Sequence, residues 1–593
     1  MSLSRKKVTA TALAAIGMLC SIWPATGGED GVKPLRITVE SRELHAVDRR
    51  LFGQFLERPS WGETGPEIAA GTNGNLSADV VELLRGMEIP IVRFPGGTDI
   101  DYTDWTDMVS NVPGRTPERP VTTGHQGHKV TNRFGYDEYL NLAADLKWDS
   151  ILVVNLLDGV AKKKPLAEAA RHVAGLVAYA NAPVGAKLPE GMPDWPAVRA
   201  KNGHPAPYGV KIFQLGNEWW SGRFPQEVKK ALGSDKADVL LPWYRECLIA
   251  YVDAMRAVDP AIEFIADAQI GFPIEAQLYA DPEIKKRIRY LTHHFYSPFG
   301  GVMDAKLDGR PVARESLKPS DWWLAWATMP GFFDDAGNCQ GFGSGLQTYG
   351  YEIASTEWNW NGWGGKELSE VGGFDWRHAA AIGCAGFLNG LMRHADVIHI
   401  ANQSMLVGHS WGIAAIRVDP TGKMPTHYNA QGAATTFYNH HHGDRLLAVR
   451  SENVPVVAQP FQVNWPAPRP RVTLLDVVAT RGDETVFVHA VNRSFDQDLE
   501  ADLDLAALAP PDGKAVQHLL EGTPADRVAE RKGWMTERSR PVAMAGGKVR
   551  IAFPRRSVSV VEIPVGFSAA RSAASIRSRR GRIRGGGAGR AGG

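Results

Sequence analysis

Cysteine is scarce in this chain, with four in 593 residues. Cys247, Cys339 and Cys384 lie far apart with no C-x-x-C, so at most one disulfide is expected and no disulfide framework. Beyond Trp23 no run stays apolar over the roughly 18 to 20 residues that a membrane helix needs, so no span is expected. There is no G-x-S-x-G, which argues against a serine hydrolase. The stretch "GFGSGL" at 341 lacks the spacing and the strand-to-helix setting of a dinucleotide site. His440, His441 and His442 are consecutive, so their side chains diverge, and no carboxylate stands at ligand spacing; no metal or cofactor is expected. An excess of one charge sign is missing too, at a formal +1. Three basic residues at the N-terminus and seven arginines in the C-terminal tail mask an acidic body, which argues against a nucleic-acid partner.

What is present describes a globular protein: 44% apolar and 22% charged residues. Residues 1–27 read as a signal peptide, with Arg5, Lys6 and Lys7 before an apolar stretch and small residues around Ala25. That reading predicts a secreted or periplasmic protein. Residues 568–593 form an Arg/Gly-rich tail too poor in apolar groups to build a core, and disorder is expected there.

Between residues 49 and 442 short apolar runs alternate with longer stretches of helical period. Strands are predicted at Leu51 to Glu57, Ile89 to Phe94, Ile151 to Leu156, Val210 to Leu215, Ile262 to Ala266, Tyr290 to Phe295, Glu352 to Ser355 and Val397 to Ala401. Helices such as "YDEYLNLAADL" and "LAEAARHVAGLVAYAN" fall between them. Eight βα repeats predict an α/β fold, a (β/α)8 TIM barrel whose chemistry sits at the C-terminal ends of its strands. From 443 to 567 the period changes to short alternating runs, "RLLAVRSE", "ETVFVHAVNRS" and "SVSVVEIPV" among them, which predict a C-terminal antiparallel β-sandwich. The early run "LRITVES" within 28–48 is expected to join that sandwich.

Two stretches share one grammar. "KIFQLGNEWW" ends its apolar run on Asn217 and Glu218, and "EIASTEWNW" ends on Glu357 before Trp358. Glycoside hydrolysis needs two carboxyl groups, one protonated to assist the leaving oxygen and one ionised to attack the anomeric carbon or to activate water. Two glutamates at the ends of the fourth and seventh strands fit that need. The rings of Trp219, Trp220, Trp358, Trp360 and Trp363 offer apolar faces for the C–H faces of sugars or for core packing.

With these residues in view, the chain resembles the family 51 glycoside hydrolases, the α-L-arabinofuranosidases of clan A. The resemblance rests on "LFGQFLER", "IPIVRFPGGTDIDYTDW", "NRFGYDEYL", "WPAVRAKNGHPAPYGVKIFQLGNE", "HHFY", "TEWN" and "GFLNGLMRHADVI", in the family's order from about 50 to 400. It implies that Glu218 is the acid/base and Glu357 the nucleophile of a retaining exo-enzyme that removes terminal arabinofuranosyl units from plant-type polysaccharides. It further implies that Asn217 binds the 2-hydroxyl and that Glu57 holds sugar hydroxyls. Arg93 then keeps the nucleophile ionised, and Tyr296 hydrogen-bonds it with His294 beside. It implies an arabinose-containing oligo- or polysaccharide as partner and is compatible with a homo-oligomer.

Two positions depart from the family pattern: Thr98 stands where Asn is usual, and Met405 where Gln is usual. Both family positions touch the furanose, so the sugar is the open question, with Gln403 and His409 as candidate replacements for the missing contact. A clan A hydrolase of other specificity is the alternative, whether another furanosidase, a xylosidase or an endo-β-glucanase. A non-catalytic carbohydrate-binding barrel is a second.

Overall fold

The computed structural model describes residues 34–58, 65–71, 73–268, 272–297, 306–307, 309–328, 349–360, 374–409, 412–461, 469–508, 512–522 and 534–565. The leader, the arginine tail, Cys339, "GFGSGL" and Trp363 lie outside the described residues.

Eight parallel strands close into a barrel: β1 (Gly53–Phe55), β2 (Ile91–Phe94), β3 (Asp149–Val154), β4 (Ile212–Leu215), β5 (Glu263–Asp267), β6 in two pieces (Tyr290–Thr292 and His294–Ser297), β7 (Glu352–Trp360) and β8 (Ile398–Ser404). β8 pairs back onto β1 at Asn402–Gly53, which completes the closure. The helices between them include Tyr136–Leu146 and Leu166–Asn181, which match the residues of the helical period in the sequence.

The barrel interior is built in layers. Ile91, Ile151, Ile212, Ile265, Tyr290, Ala354 and Ile400, one from each of β2 to β8, form an apolar ring with at most 3% exposure. Branched residues fill such a ring because it is a packed core and not a pore. Two residues further along the strands the same inward face carries Arg93, Val153, Gln214, Asp267, Thr292, Thr356 and Asn402. With the strand period of two, the alternation that packs the apolar ring also stacks a polar layer above it, toward the catalytic end.

β7 is longer than its apolar run suggests. The sequence places its end at Ser355, whereas the strand continues to Trp360 because its last residues pair in register with the second piece of β6, His294 against Glu357. A register shift between Ser355 and Trp358 re-phases the strand. Thr356 and Glu357 then both reach the interior, and Trp358 faces the surrounding helices; re-aiming a side chain is what a bulge does.

The C-terminal region forms a nine-stranded sheet that closes on itself, where the sequence suggested two stacked sheets. Leu35–Ala46 pairs antiparallel with Arg445–Glu452 and parallel with Leu499–Asp504, so the first described strand seals the sheet contributed by the C-terminal region. Its inner face holds a separate apolar core around Ile37, Val488, Leu503 and Ile563. The barrel helix Trp376–Arg393 packs on this sheet through Asp476, which accepts from Asn389 at 3.2 Å, from Arg493 at 3.1 Å and from Arg393. Burial would push the Asp476 carboxyl up, but the two guanidiniums outweigh it and hold it down at about 2. Among the described residues no helix is long and apolar enough to cross a membrane. Cys247 and Cys384 are buried free thiols.

Candidate active site

At the end of β4 the chain turns sharply outward. Gly216 has φ 70° and Glu218 has φ 47°, two left-handed residues flanking Asn217. A Cβ at Gly216 would lie 2.7 Å from the Trp219 ring nitrogen and 2.9 Å from Leu156 Cβ, so only glycine fits there. Glu218 has no such excuse, since a non-glycine residue in this region carries a cost of order 1 to 3 kcal/mol and is over-represented where geometry matters more than stability. The turn is pinned from below by Asp101, whose carboxylate accepts from the backbone of Asn217 at 2.9 Å, Leu156 at 2.8 Å and Leu157 at 3.1 Å. Burial pushes the Asp101 carboxyl up to about 7.

Glu357, inward from β7, is held on both oxygens. Arg93 Nη1 donates to Oε1 at 2.7 Å and the Tyr296 hydroxyl to Oε2 at 2.8 Å. Arg93 also donates to Asn217 Oδ1 at 2.6 Å and from Nε to Gln214 at 3.0 Å, while its face lies over the Phe55 ring at 4.4 Å. Burial alone would raise the Glu357 carboxyl, but the His294 and Arg93 charges and its hydrogen bonds prevail and hold it below the ordinary carboxylate range. It is therefore ionised at neutral pH.

His294, from the second piece of β6, joins the two glutamates. Its Nδ1 lies 2.9 Å from Glu218 Oε1 and 3.7 Å from Glu357 Oε2, and its Nε2 lies 3.1 Å from the Thr356 hydroxyl. Burial opposes its charge, yet the Glu357 and Glu218 carboxylates raise its pKa above the ordinary histidine value. One carboxylate oxygen from each glutamate and a His294 ring nitrogen all lie within 4.8 Å of one another. These three groups could ligate an ion by distance, but the fixed Arg93 guanidinium already balances Glu357. The Glu218 side chain is 26% exposed and that of Glu357 is 8% exposed, so Glu218 stands nearer the opening.

Glu57, just past β1, completes the floor. The Gly97 backbone N–H donates to it at 3.4 Å, and burial, followed by the Glu357 charge, raises its carboxyl well above the ordinary value. A Cβ at Gly97 would stand 3.0 Å from Glu357 Oε1 and 3.2 Å from Glu57 Oε1, so this glycine lets two carboxyl groups meet over one backbone. Thr98, next in the same loop, accepts from Asn217 Nδ2 at 3.4 Å. Met405 packs with Phe55, Ile413 and Tyr296, the tyrosine that donates to Glu357.

The structure thus brings together Glu57, Arg93, Thr98, Asn217, Glu218, His294, Tyr296, Glu357 and Met405. It does not bring in two of the tryptophans. Trp219 turns into the core, donating to the Leu215 carbonyl at 2.9 Å beside Tyr244, and Trp358 packs on Phe387 of the helix Trp376–Arg393 with no exposure. Trp358 follows the inward Glu357 within β7, where adjacent residues point to opposite sides, whereas Trp219 is carried into the core by the left-handed turn at Glu218. Trp220 is the ring that stays near the site, 6.0 Å from His294. Gln403 also faces outward, where it accepts from Thr435 at 2.7 Å and Gln54 at 3.2 Å.

Sequence reasoning overlooked Gln214, Asp267, Asp101 and Ser404. Gln214 orients Arg93 and donates to Asp267 at 3.3 Å, and Ser404 lies 2.6 Å from the Tyr296 hydroxyl. The signal available for the first two was a polar residue inside an apolar strand run, as in "IFQL" and "FIAD".

Residues 83–304 match the family model described as the alpha-L-arabinofuranosidase 1 domain. An intracellular exo-α-(1→5)-L-arabinofuranosidase of Streptomyces lividans is 27% identical over 408 residues, 64% of this chain and 53% of that protein. An exo-α-(1→6)-L-arabinofuranosidase of Bifidobacterium longum is 24% identical over 501 residues, covering 79% and 84%. The chain spans about half the length of the first curated relatives it matches. A crystal structure of α-L-arabinofuranosidase from Thermotoga maritima in an arabinose complex covers 90% of this chain and 100% of its own with a TM-score of 0.62 at 18% identity, a likeness of fold.

The chain is thus similar to the family 51 α-L-arabinofuranosidases in sequence across the barrel and in fold over its length. One expectation is corrected. The secreted or periplasmic location read from the leader conflicts with four matched relatives whose names call them intracellular. A short basic-then-apolar N-terminus is a compositional pattern that no folded context checks, and residues 1–33 lie outside the described structure.

Proposed function

We propose that the protein is a retaining exo-glycosidase that hydrolyses terminal non-reducing α-L-arabinofuranosyl residues of plant-type oligo- and polysaccharides. The observation that carries this reading is the approach of Glu218 and Glu357 oxygens to within 4.8 Å. Retaining glycosidases hold their carboxyls about 5 to 5.5 Å apart, whereas inverting ones leave about 6.5 to 9.5 Å for a water.

In the first step the ionised Glu357 attacks the anomeric carbon while Glu218 gives its proton to the departing oxygen. The C–O bond to the leaving group breaks as the bond to Glu357 forms. Arg93 and Tyr296 aim the nucleophile and hold its negative charge until the bond to the anomeric carbon forms. In the second step Glu218, now ionised, takes a proton from water, the oxygen attacks the same carbon and Glu357 is released. His294, in contact with both carboxylates, holds Glu218 in place beside Glu357. Asn217 and Glu57 present an amide and a carboxyl group to the sugar hydroxyls.

Thr98 and Met405 favour a second reading of the sugar alone. They put a hydroxyl and a thioether where the resembled family has two amides, so a related clan A substrate fits the same machinery. A panel of aryl glycosides decides between them: α-L-arabinofuranoside should be cleaved preferentially, and NMR of the first-formed sugar should show the α-anomer. Dominant cleavage of a xyloside or glucoside would replace the substrate assignment, and an inverted product would overturn the mechanism.

A further inference from the structure

A second cluster of ligating groups lies far from the acid pair in sequence, where the barrel's last helix meets the C-terminal sheet. The helix Ala430–His440 ends on consecutive histidines, and their side chains do diverge. The ring nitrogens of His440 and His442 lie 2.7 Å from the Gly86 carbonyl and 3.2 Å from the Gly443 carbonyl. His441 alone turns to the sheet, where its ring stacks on His518 with centroids 3.9 Å apart.

The sheet supplies what the local sequence lacks. His518 on Asp512–Gly522 pairs with Ser539 on Met535–Ala545 and with Val560 on Ser557–Pro564. The strand period of two then places Glu537 and Glu562 on the same face as His518. His518 Nε2 lies 3.0 Å from Glu562 Oε2, and His441 Nε2 lies 3.5 Å from Glu537 Oε1. Ligand atoms of His441, His518 and Glu562 all lie within 4.8 Å of one another.

We propose that His441, His518 and Glu562, with Glu537 as fourth partner, form a zinc-type divalent metal site that clips the barrel to the C-terminal sheet. The donor set is two imidazoles and carboxylates with no thiolate, which suits zinc and its first-row neighbours and does not suit calcium or magnesium. A tetrahedral zinc holds nitrogen and oxygen at about 2.0 to 2.2 Å, which sets its ligand atoms about 3.3 Å apart. Reaching that spacing requires the stacked rings of His441 and His518 to splay so that both lone pairs point at one ion. His518 is already oriented for the task, since its Nδ1 lies 2.8 Å from the Ser539 hydroxyl and leaves Nε2 toward the carboxylates. Such an outer hydrogen bond is the usual companion of a ligating histidine. The site is also reachable, with Glu562 37% and Glu537 42% exposed at the side chain.

Metal joining the end of the barrel to three strands would act on the union of the two regions and not on the chemistry at Glu218 and Glu357. The test uses the full chain stripped of metal and titrated with zinc against a chromophoric chelator, with the melting temperature followed in parallel. One zinc per chain and a raised melting temperature are expected. His518→Ala and the shape-conserving Glu562→Gln should each weaken binding about tenfold or more and lose the thermal shift. His440→Ala should bind as the parent does. Absence of saturable zinc binding overturns the proposal. So does zinc that His518→Ala and Glu562→Gln retain but His294→Ala loses, because it would lie at the acid pair.

Discussion

Arg93 and Glu357 form a buried ion pair at 2.7 Å between β2 and β7, and the same guanidinium reaches Asn217 at the end of β4. One fixed cation thereby sets the position of groups from three strands. Replacing it by Arg93→Gln should raise the Glu357 carboxyl, because the charge that offsets its burial is gone. The acid limb of the pH profile of kcat/KM should move upward, and activity at neutral pH should fall by about 10²-fold or more. Loss of one partner of a buried pair should also cost about 3 to 5 kcal/mol of stability, read from the denaturant midpoint. An unmoved acid limb would detach Arg93 from the charge state of Glu357.

Glu357→Ala should abolish turnover of aryl arabinofuranosides, by about 10³-fold or more. The space left beside the anomeric carbon should admit a small anion such as azide, giving a glycosyl azide of inverted configuration. Chromatography and NMR of that product identify the face of attack. Undiminished activity of this variant would remove the nucleophile assignment.

Asp267 is buried and hydrogen-bonded at one oxygen, and burial pushes its carboxyl from 3.8 up to about 8. The sign follows from proton binding. Between those values the unfolded chain has released this proton and the folded chain has kept it, so the contribution to stability is full below about 3.8 and is lost as pH rises to about 8. Asp267→Asn removes that term, and its amide oxygen can still accept from Gln214. Its melting temperature should exceed the parent's by a margin that grows from pH 4 to pH 8. A constant margin would show that Asp267 is ionised in the folded protein.

Met405 lies beside Phe55 and Tyr296 at the wall next to Glu357. Met405→Gln should place a polar group there and lower KM for an arabinofuranoside by roughly tenfold, the worth of one well-made hydrogen bond, with kcat little changed. If KM rises while the xyloside or glucoside is lost equally, Met405 is packing and not a specificity element.

Much of this was legible because strand period and βα alternation are local. The eight runs, the helix spans and the glutamate-bearing turn at Glu218 follow from the spacing of apolar residues and from the glycine before Asn217. What misled was also local in origin. A tryptophan beside a glutamate reads as part of the site, but the pleat of β7 sends Trp358, and the left-handed turn at Glu218 sends Trp219, into the core. Ser355 reads as the end of a strand, but pairing with β6 carries it on to Trp360.

By itself the sequence determined the barrel and the sheet-rich C-terminal region, because each is encoded in short-range periodicity, and its two motifs offered Glu218 and Glu357 as the candidate carboxyl pair. Tertiary structure alone decided the approach of Glu218 to Glu357 within 4.8 Å, the lowered pKa of Glu357, the hidden roles of Gln214 and Asp101, and the meeting of His441 with His518 and Glu562. Those outcomes join residues from different strands or from both regions. They depend on how the barrel closes and which charges burial brings together, and spacing along the chain carries neither.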